Sequence, residues 1–400
     1  MKQYDVLIVG GGSGGITTAA RLKRADRNLS VAIVEPNTDH YYQPLWTLVG
    51  AGVATVDETR RDEAKLIPNG VEWIRDRVAS IDPDAHTVSL EEGGDVGYDQ
   101  LVMALGIELH WDKVEGARDA IGNGKVVSNY IPEGAQATWQ ALESFQGGDM
   151  IFTAPSGQIK CGGAPQKIMY LADDYLRKHG LRDKTQITGG FAGTVMLGVP
   201  EINATLNQIV EERDLHMKFR HELVRIDADR DMAVFVNLDD PDAGEIEMHY
   251  DFIHITPPQR APKVLRESKL AVAEGPHAGF ADVDEHTLQH KTYPDVWALG
   301  DNAGVPTAKT GAAIRKQAPV LVEQLLAHRA GKQGQKSYEG YSSCPLVTGY
   351  GKLVLAEFEY GNKYKPTFPV DQTKQRWDMY MLKRHLLPQM YWHGMLRGIA

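Results

Sequence analysis

Cysteine is scarce in this chain: its 400 residues contain two, Cys161 and Cys344. Two cysteines make no disulfide framework, and with no C-x-x-C anywhere neither a zinc ligand pair nor a thioredoxin-like centre is expected, so no metal is. Positive charge is short as well. The formal net charge is −10, and no basic low-complexity arm offsets it, which argues against nucleic acid as a partner. Nor is there an uninterrupted apolar run of about 18 residues that could span a bilayer. The first strand begins within about four residues of Met1 with neither a basic n-region nor an apolar h-region, so no Sec-type signal is expected. A chain of this length exceeds one ordinary core and is expected to form two domains plus an extra element.

What is present begins with Asp5–Val9, a short apolar run that leads directly into Gly10-Gly11-Gly12-Ser13-Gly14-Gly15. Gly10, Gly12 and Gly15 satisfy G-x-G-x-x-G, and Ile16–Lys23 behind them reads as a helix. A strand that turns sharply into a helix while its backbone approaches a pyrophosphate excludes side chains at those three points. Ser30–Val34 reads as a second strand, closed by Glu35 roughly 20 residues after Gly15, where an acidic side chain would grip a ribose hydroxyl. The pattern points to an adenine dinucleotide, FAD or NAD; the plainer alternative is a structural turn with a chance acidic residue.

Further on, His40–Trp46 is a polar, aromatic stretch at the cofactor edge, and Val71–Ile81, Thr87–Leu90 and Tyr98–Leu105 read as strands. Gly106 ends the last of these, either letting a loop cross back near the nucleotide or simply making a turn. A second αβ unit starts at Met150–Thr153, with Cys161 in the loop Ala154–Pro165 and helical spacing over Gln166–Lys178. The strand Gln186–Thr188 is followed by Gly189–Thr194, which lacks the phosphate-binding spacing and so suggests one dinucleotide, not two. Val296–Gly300 is a short strand ending in Asp301, which can accept hydrogen bonds from a ribityl chain. Lys309-Thr310-Gly311-Ala312 opens a helix to about His328 that would stabilise negative charge on a reduced flavin ring.

The lysine at 160 and the helix starting near Pro165 would both lower the Cys161 thiol pKa. From the residues alone, a redox pair with Cys344 and two inert buried thiols both stay open. The tail, Lys374–Ala400, interleaves Trp377, Tyr380, Leu386, Tyr391 and Trp392 with cations, and Pro388 is expected to divide it into two short helices. It reads equally as a monotopic surface anchor and as a helical pair docked on the core or on a second subunit.

The glycine loop with Glu35, HYYQPLWTLVGAG at His40–Gly52, IKCGGAPQKIMYL at Ile159–Leu171, Leu299–Lys309 and SCPLVTGYGKLVLAEFEY at Ser343–Tyr360 closely resemble the sulfide:quinone oxidoreductase family in its mitochondrial-type, or type II, branch. The resemblance runs from Tyr4 to about Gly398 and includes Met390–Gly398. It implies an α/β fold of two Rossmann-like domains, as in glutathione reductase, with a C-terminal amphipathic membrane-associating region. The expected division is 1–110 with 285–335 for FAD, 111–284 for a second Rossmann-like domain without a nicotinamide cofactor, and 336–400 for the region carrying Cys344.

By position, the resemblance gives Ser13, Gly14, Glu35, Gln43, Val78, Ala104, Asp301, Lys309, Thr310, Gly311 and Ala312 as FAD contacts. It makes Cys161 and Cys344 the redox pair, bridged directly or through an extra sulfur. Hydrogen sulfide would attack the bridge at Cys344 and leave a persulfide there; Cys161 would leave as a thiolate and attack the flavin at C4a. A sulfur acceptor such as sulfite, glutathione, cyanide or another sulfide would remove the sulfane sulfur, and a membrane quinone would take the electrons. Other branches carry a third cysteine, sometimes tied to the flavin; none stands in Val126–Pro132 or elsewhere here, so FAD is expected to be non-covalent. Tyr350, Phe358, Trp377 and Tyr380 are quinone candidates from apolarity and position alone. The expected location is peripheral on a bacterial plasma membrane, with a homo-oligomer left open. The alternatives are an NADH:quinone oxidoreductase and a non-catalytic membrane-associated flavoprotein.

Overall fold

The computed structural model describes residues 1–400. Strand β1 (Lys2–Val9) stands at the centre of a seven-stranded sheet. Its apolar second half, Val6–Val9, is fully buried, as a parallel strand covered on both faces requires. It turns at Gly10 into α1 (Ser13–Ala25) and is flanked in parallel by β2 (Val31–Val34) and by Asp95–Met103. Val71–Ile74 extends the sheet beyond β2, and Val296–Ala298 returns late in the chain to pair in parallel with Asp95–Met103. The first sheet is therefore closed by residues nearly 300 positions from its start, which brings Asp301 beside the glycine loop.

The glycines of that loop are there for steric reasons. Gly10 has φ +105°, and a Cβ on it would lie 2.3 Å from the Ala104 carbonyl oxygen; one on Gly15 would lie 1.9 Å from the Gly10 oxygen. A Cβ on Gly12 would meet nothing within 4 Å, because it would project into the cavity in front of α1.

The second unit is a parallel five-stranded sheet in the order Val126–Val127, Phe252–His254, Gly148–Ala154, Thr185–Phe191, His216–Phe219. Its central strand, Gly148–Ala154, leads through 155–163 into α2 (Ala164–Lys178). Loop 155–163 is thus the topological counterpart of the Gly10–Gly15 turn, and it carries Cys161 where the first unit has its phosphate loop. Gly189 and Gly190 lie inside a strand instead. Their missing side chains make room for core neighbours, Cβ atoms there falling 2.4 Å from Met217 Cε and 2.5 Å from Phe235 Cε1.

Helix α3 (Gly311–Arg329) packs beside α1. The antiparallel hairpin of β3 (Ser342–Gly349) and β4 (Lys352–Glu359) follows, with β3 lying on α2. That packing puts Cys344 of β3 next to the Cys161 loop.

The tail differs from its expected form of two helices. From Trp377 to Met395 it is one helical run, in which Leu382–Leu386 and Met390–Met395 are π-helical and Pro388 sits in the short α turn between them. Wide π turns on either side accommodate the missing N–H of proline, so the run continues through Pro388. Met379, Tyr380, Tyr391, Trp392, Met395 and Leu396 are buried, whereas Trp377 and Leu386 are exposed. No helix is long and apolar enough to cross a membrane.

Candidate active site

A cavity of about 970 Å³ opens before the N-terminus of α1 and extends to Cys161 and the C-terminal helix, with Cys344 buried just outside its lining. Gly12 is the N-cap of α1, and no side chain caps the helix, so its first N–H groups and the positive end of its dipole face that space. Ser13, Gly14, Glu35, Gln43, Ala104, Gly106, Asp301, Lys309, Thr310, Gly311 and Ala312 all line it, while Gly10 and Gly15 shape the turn behind. Val78 lies elsewhere: it opens the strand Val78–Asp82 and is buried outside the lining. Glu35 accepts from the Gly11 N–H at 2.8 Å and, through its other oxygen, from the Asn37 N–H at 2.8 Å, which fixes the carboxylate at the edge of the cavity.

These residues fit FAD. The bare helix end suits a pyrophosphate. The Asp301 carboxyl is shifted up by burial, with the Lys309 and Lys160 ammonium groups opposing, and no hydrogen bond within the chain holds it, which leaves it free for ribityl hydroxyls. Lys309 is 5% exposed, donates to the Ala303 carbonyl at 3.2 Å and is pushed down to about 8 by burial.

At the other end of the cavity the two sulfurs meet. Cys161 Sγ lies 3.4 Å from Cys344 Sγ, and both are free thiols. Cys161 has a left-handed backbone, φ +58°, and donates its N–H to the Lys309 carbonyl at 2.8 Å, so the cysteine loop is tied to the segment that opens α3. The Lys167 ammonium, on the first turn of α2, is 3.1 Å from Cys161 Sγ. The Cys161 thiol is held well below its ordinary value, first by the hydrogen bond from Cys344 and then, against burial, by Lys167. Cys344 is pushed well up because it keeps the shared proton and is buried.

The expected helper, Lys160, points away from the sulfur. Its ammonium donates to Gln43 Oε1 at 2.7 Å and stands 5.6 Å from the Trp46 ring centroid. The cation that serves Cys161 is Lys167, a residue not singled out in the sequence; the available signal is a lysine inside the largely apolar segment Pro165–Leu171, and it is itself buried. Lys383 was equally unforeseen. It comes from the tail, is 3% exposed, donates to the Pro44 carbonyl at 3.0 Å and is pushed down to about 7 by burial and by Lys167.

None of the four quinone candidates lines the cavity. Tyr350 donates its hydroxyl to the Ala51 carbonyl, Phe358 and Tyr380 are buried, and Trp377 is exposed. The apolar residues that do line it include Pro345, Leu355, Phe368, Leu382, Leu387 and Met390.

Residues 4–131 match the family described as pyridine nucleotide-disulphide oxidoreductase. The chain is 43% identical over 397 residues to the mitochondrial sulfide:quinone oxidoreductase of Mus musculus, covering 99% of this chain and 87% of that protein. It is 42% identical over 395 residues to the protein of the same name from Dictyostelium discoideum, covering 98% and 86%. Among solved structures, the sulfide:quinone oxidoreductase of the hyperthermophilic bacterium Aquifex aeolicus superposes with a TM-score of 0.82 over 100% of this chain and 92% of that one, at 21% identity, a likeness of fold. Both relatives named by sequence are mitochondrial, which overturns the expected placement on a bacterial plasma membrane.

Proposed function

The chain belongs to the sulfide:quinone oxidoreductase family, and from that premise we propose how its own residues carry the reaction. It is an FAD-dependent enzyme that oxidises sulfide and passes the electrons to a quinone. Bound FAD supplies the two-electron acceptor between sulfur and quinone.

Cys344 takes the sulfur. Hydrosulfide attacks its Sγ in a bridge to Cys161, the bridging S–S bond breaks, a persulfide remains on Cys344, and Cys161 departs as a thiolate. The assignment is supported by the asymmetry of the pair: the thiol with the lowered pKa is the better leaving group, and that is Cys161, 3.1 Å from the Lys167 ammonium. A small soft nucleophile such as sulfite, glutathione, cyanide or another sulfide then removes the sulfane sulfur and leaves Cys344 a thiolate. Closing the bridge between the two thiolates releases two electrons to the cofactor. For the quinone we propose the apolar part of the cavity lining that includes Phe368, Leu382, Leu387 and Met390.

The observation that carries this reading is the 3.4 Å approach of Cys344 Sγ to the Sγ of Cys161, which lines the cavity and is paired with a buried lysine. Anaerobic addition of sulfide to the oxidised protein tests it. The flavin spectrum should bleach, with a transient long-wavelength charge-transfer band, and recover with a soluble quinone; Cys161→Ser and Cys344→Ser should abolish the bleaching. If sulfide leaves the spectrum unchanged while NADH bleaches it, the cysteines are structural and the enzyme is a different quinone reductase.

A further inference from the structure

The C-terminal helical run ends on the dinucleotide loop. Tyr391 is 4% exposed, and its hydroxyl lies 2.6 Å from the Oγ of Ser13, the first residue of α1. The same hydroxyl bonds His40 Nε2, and His40 Nδ1 stands 3.0 Å from Glu63 Oε2. Aromatic packing fixes this line: Tyr42 and Tyr391 have ring centroids 4.6 Å apart, Trp392 meets His40 edge-on at 5.7 Å, and the Arg61 guanidinium lies 5.0 Å over the Trp392 ring. Further on, a Cβ on Gly398 would come 2.9 Å from the Arg21 nitrogen, and the Arg21 guanidinium donates to the Ala400 carbonyl. The tail therefore runs against α1, the helix whose N-terminus faces the cofactor phosphates.

Tyrosine and serine hydroxyls each have one proton, so the protonation of His40 sets the direction of the line. With Glu63 accepting at Nδ1, a doubly protonated His40 donates from Nε2 to Tyr391, Tyr391 donates to Ser13 Oγ, and the Ser13 proton is left for an anionic oxygen before the helix. Glu63, 2% exposed, balances His40 at Nδ1, and its Oε1 has no partner within the chain. Ser13, His40, Glu63 and Tyr391 all line the cavity.

We infer that the C-terminal helix is a strap over the cofactor, in which Tyr391 is a positioning residue that turns the Ser13 hydroxyl toward the pyrophosphate of FAD, with His40 and Glu63 behind it. This rests on FAD as the resident cofactor. It gives the apolar tail a use on the protein itself: Tyr391 meets Ser13 and Trp392 packs on His40, while Trp377 and Leu386 are exposed.

The test is the dissociation constant of FAD from the intact holoprotein, read from the rise of free-flavin fluorescence on dilution. Tyr391→Phe keeps the ring and removes the hydroxyl, and Ser13→Ala removes its partner. Each should weaken FAD binding about tenfold, and the double variant should stay near tenfold because the two act as one unit. Leu386→Ser, on the exposed face of the tail, should bind as wild type. The difference in melting temperature between FAD-bound and FAD-free protein should narrow in Tyr391→Phe. Wild-type FAD affinity in Tyr391→Phe, a roughly hundredfold loss in the double variant, or an unchanged holo-to-apo difference would overturn the proposal. A wild-type protein that retained no FAD would count against the cofactor itself, so the two failures are told apart.

Discussion

The Lys167 ammonium lies 3.1 Å from Cys161 Sγ and reaches it from the first turn of α2. A buried cation hydrogen-bonded to Cys161 Sγ, with Cys344 keeping the shared proton, makes the pair of cysteines into a leaving group and an acceptor. Replacing Lys167 by Met should raise the Cys161 pKa, because the charged partner of the thiolate is gone. Flavin reduction by sulfide, followed by stopped flow, should slow by about a hundredfold near neutral pH and recover partly as pH rises. A pH profile unchanged from wild type would show that Lys167 does not hold the thiolate.

Gly163 offers a separate way to disturb the pair. A Cβ there would fall 2.5 Å from both Cys344 Sγ and Leu346 Cδ2. Gly163→Ala is expected to bind FAD normally and to lose sulfide-dependent bleaching by about a hundredfold, since a displacement near an ångström at the reacting atoms costs that much. Wild-type bleaching would mean that β3 yields without cost.

The glycine loop predicts a contrast between neighbours. Gly15→Ala would drive a Cβ to 1.9 Å from the Gly10 oxygen and should give no folded protein, whereas Gly12→Ala meets no atom of the chain. The Gly12 variant should keep the apoprotein melting temperature and lose most FAD affinity, as measured by flavin fluorescence. Retained affinity would place the phosphates elsewhere.

Stability of the FAD-free protein should rise with pH between about 7 and 9. Lys383 is lowered to about 7 and Lys309 to about 8, from an ordinary 10.5. Above those values the folded chain has released protons that the unfolded chain still binds, so the slope is positive, up to about 1.4 kcal/mol per pH unit for each lysine. The lowered Cys161 thiol acts in the same direction up to its ordinary 9.0. Lys383→Met should melt higher than wild type at pH 7 and show a flatter pH dependence in thermal denaturation. A melting temperature that falls from pH 7 to 9 would contradict this account.

What could be read in the sequence follows the range of the forces involved. Gly10, Gly12, Gly15 and Glu35 were legible because a turn that must admit a phosphate constrains a few consecutive residues. Asp301 and Lys309 could be placed through the strand and helix that flank them. The role of Lys167 could not be separated from that of Lys160, because which lysine reaches the sulfur depends on where α2 starts and on the left-handed turn at Cys161. The tail was ambiguous for a different reason: an amphipathic pattern reports that one face avoids water, not whether lipid or protein covers it. Tyr391 and Trp392 went to the protein, and the isolated Trp377 and Leu386 did not.

The hydrogen bond from the Cys161 N–H to the Lys309 carbonyl, 2.8 Å long, belongs to a single β-bridge between Lys160 and Lys309. It joins the loop of the second Rossmann-like unit, which carries the sulfur, to the entrance of α3, which lines the cofactor site. Both partners in that bond are main-chain atoms, so substituting the side chain at either position leaves the connection between sulfur and cofactor site in place.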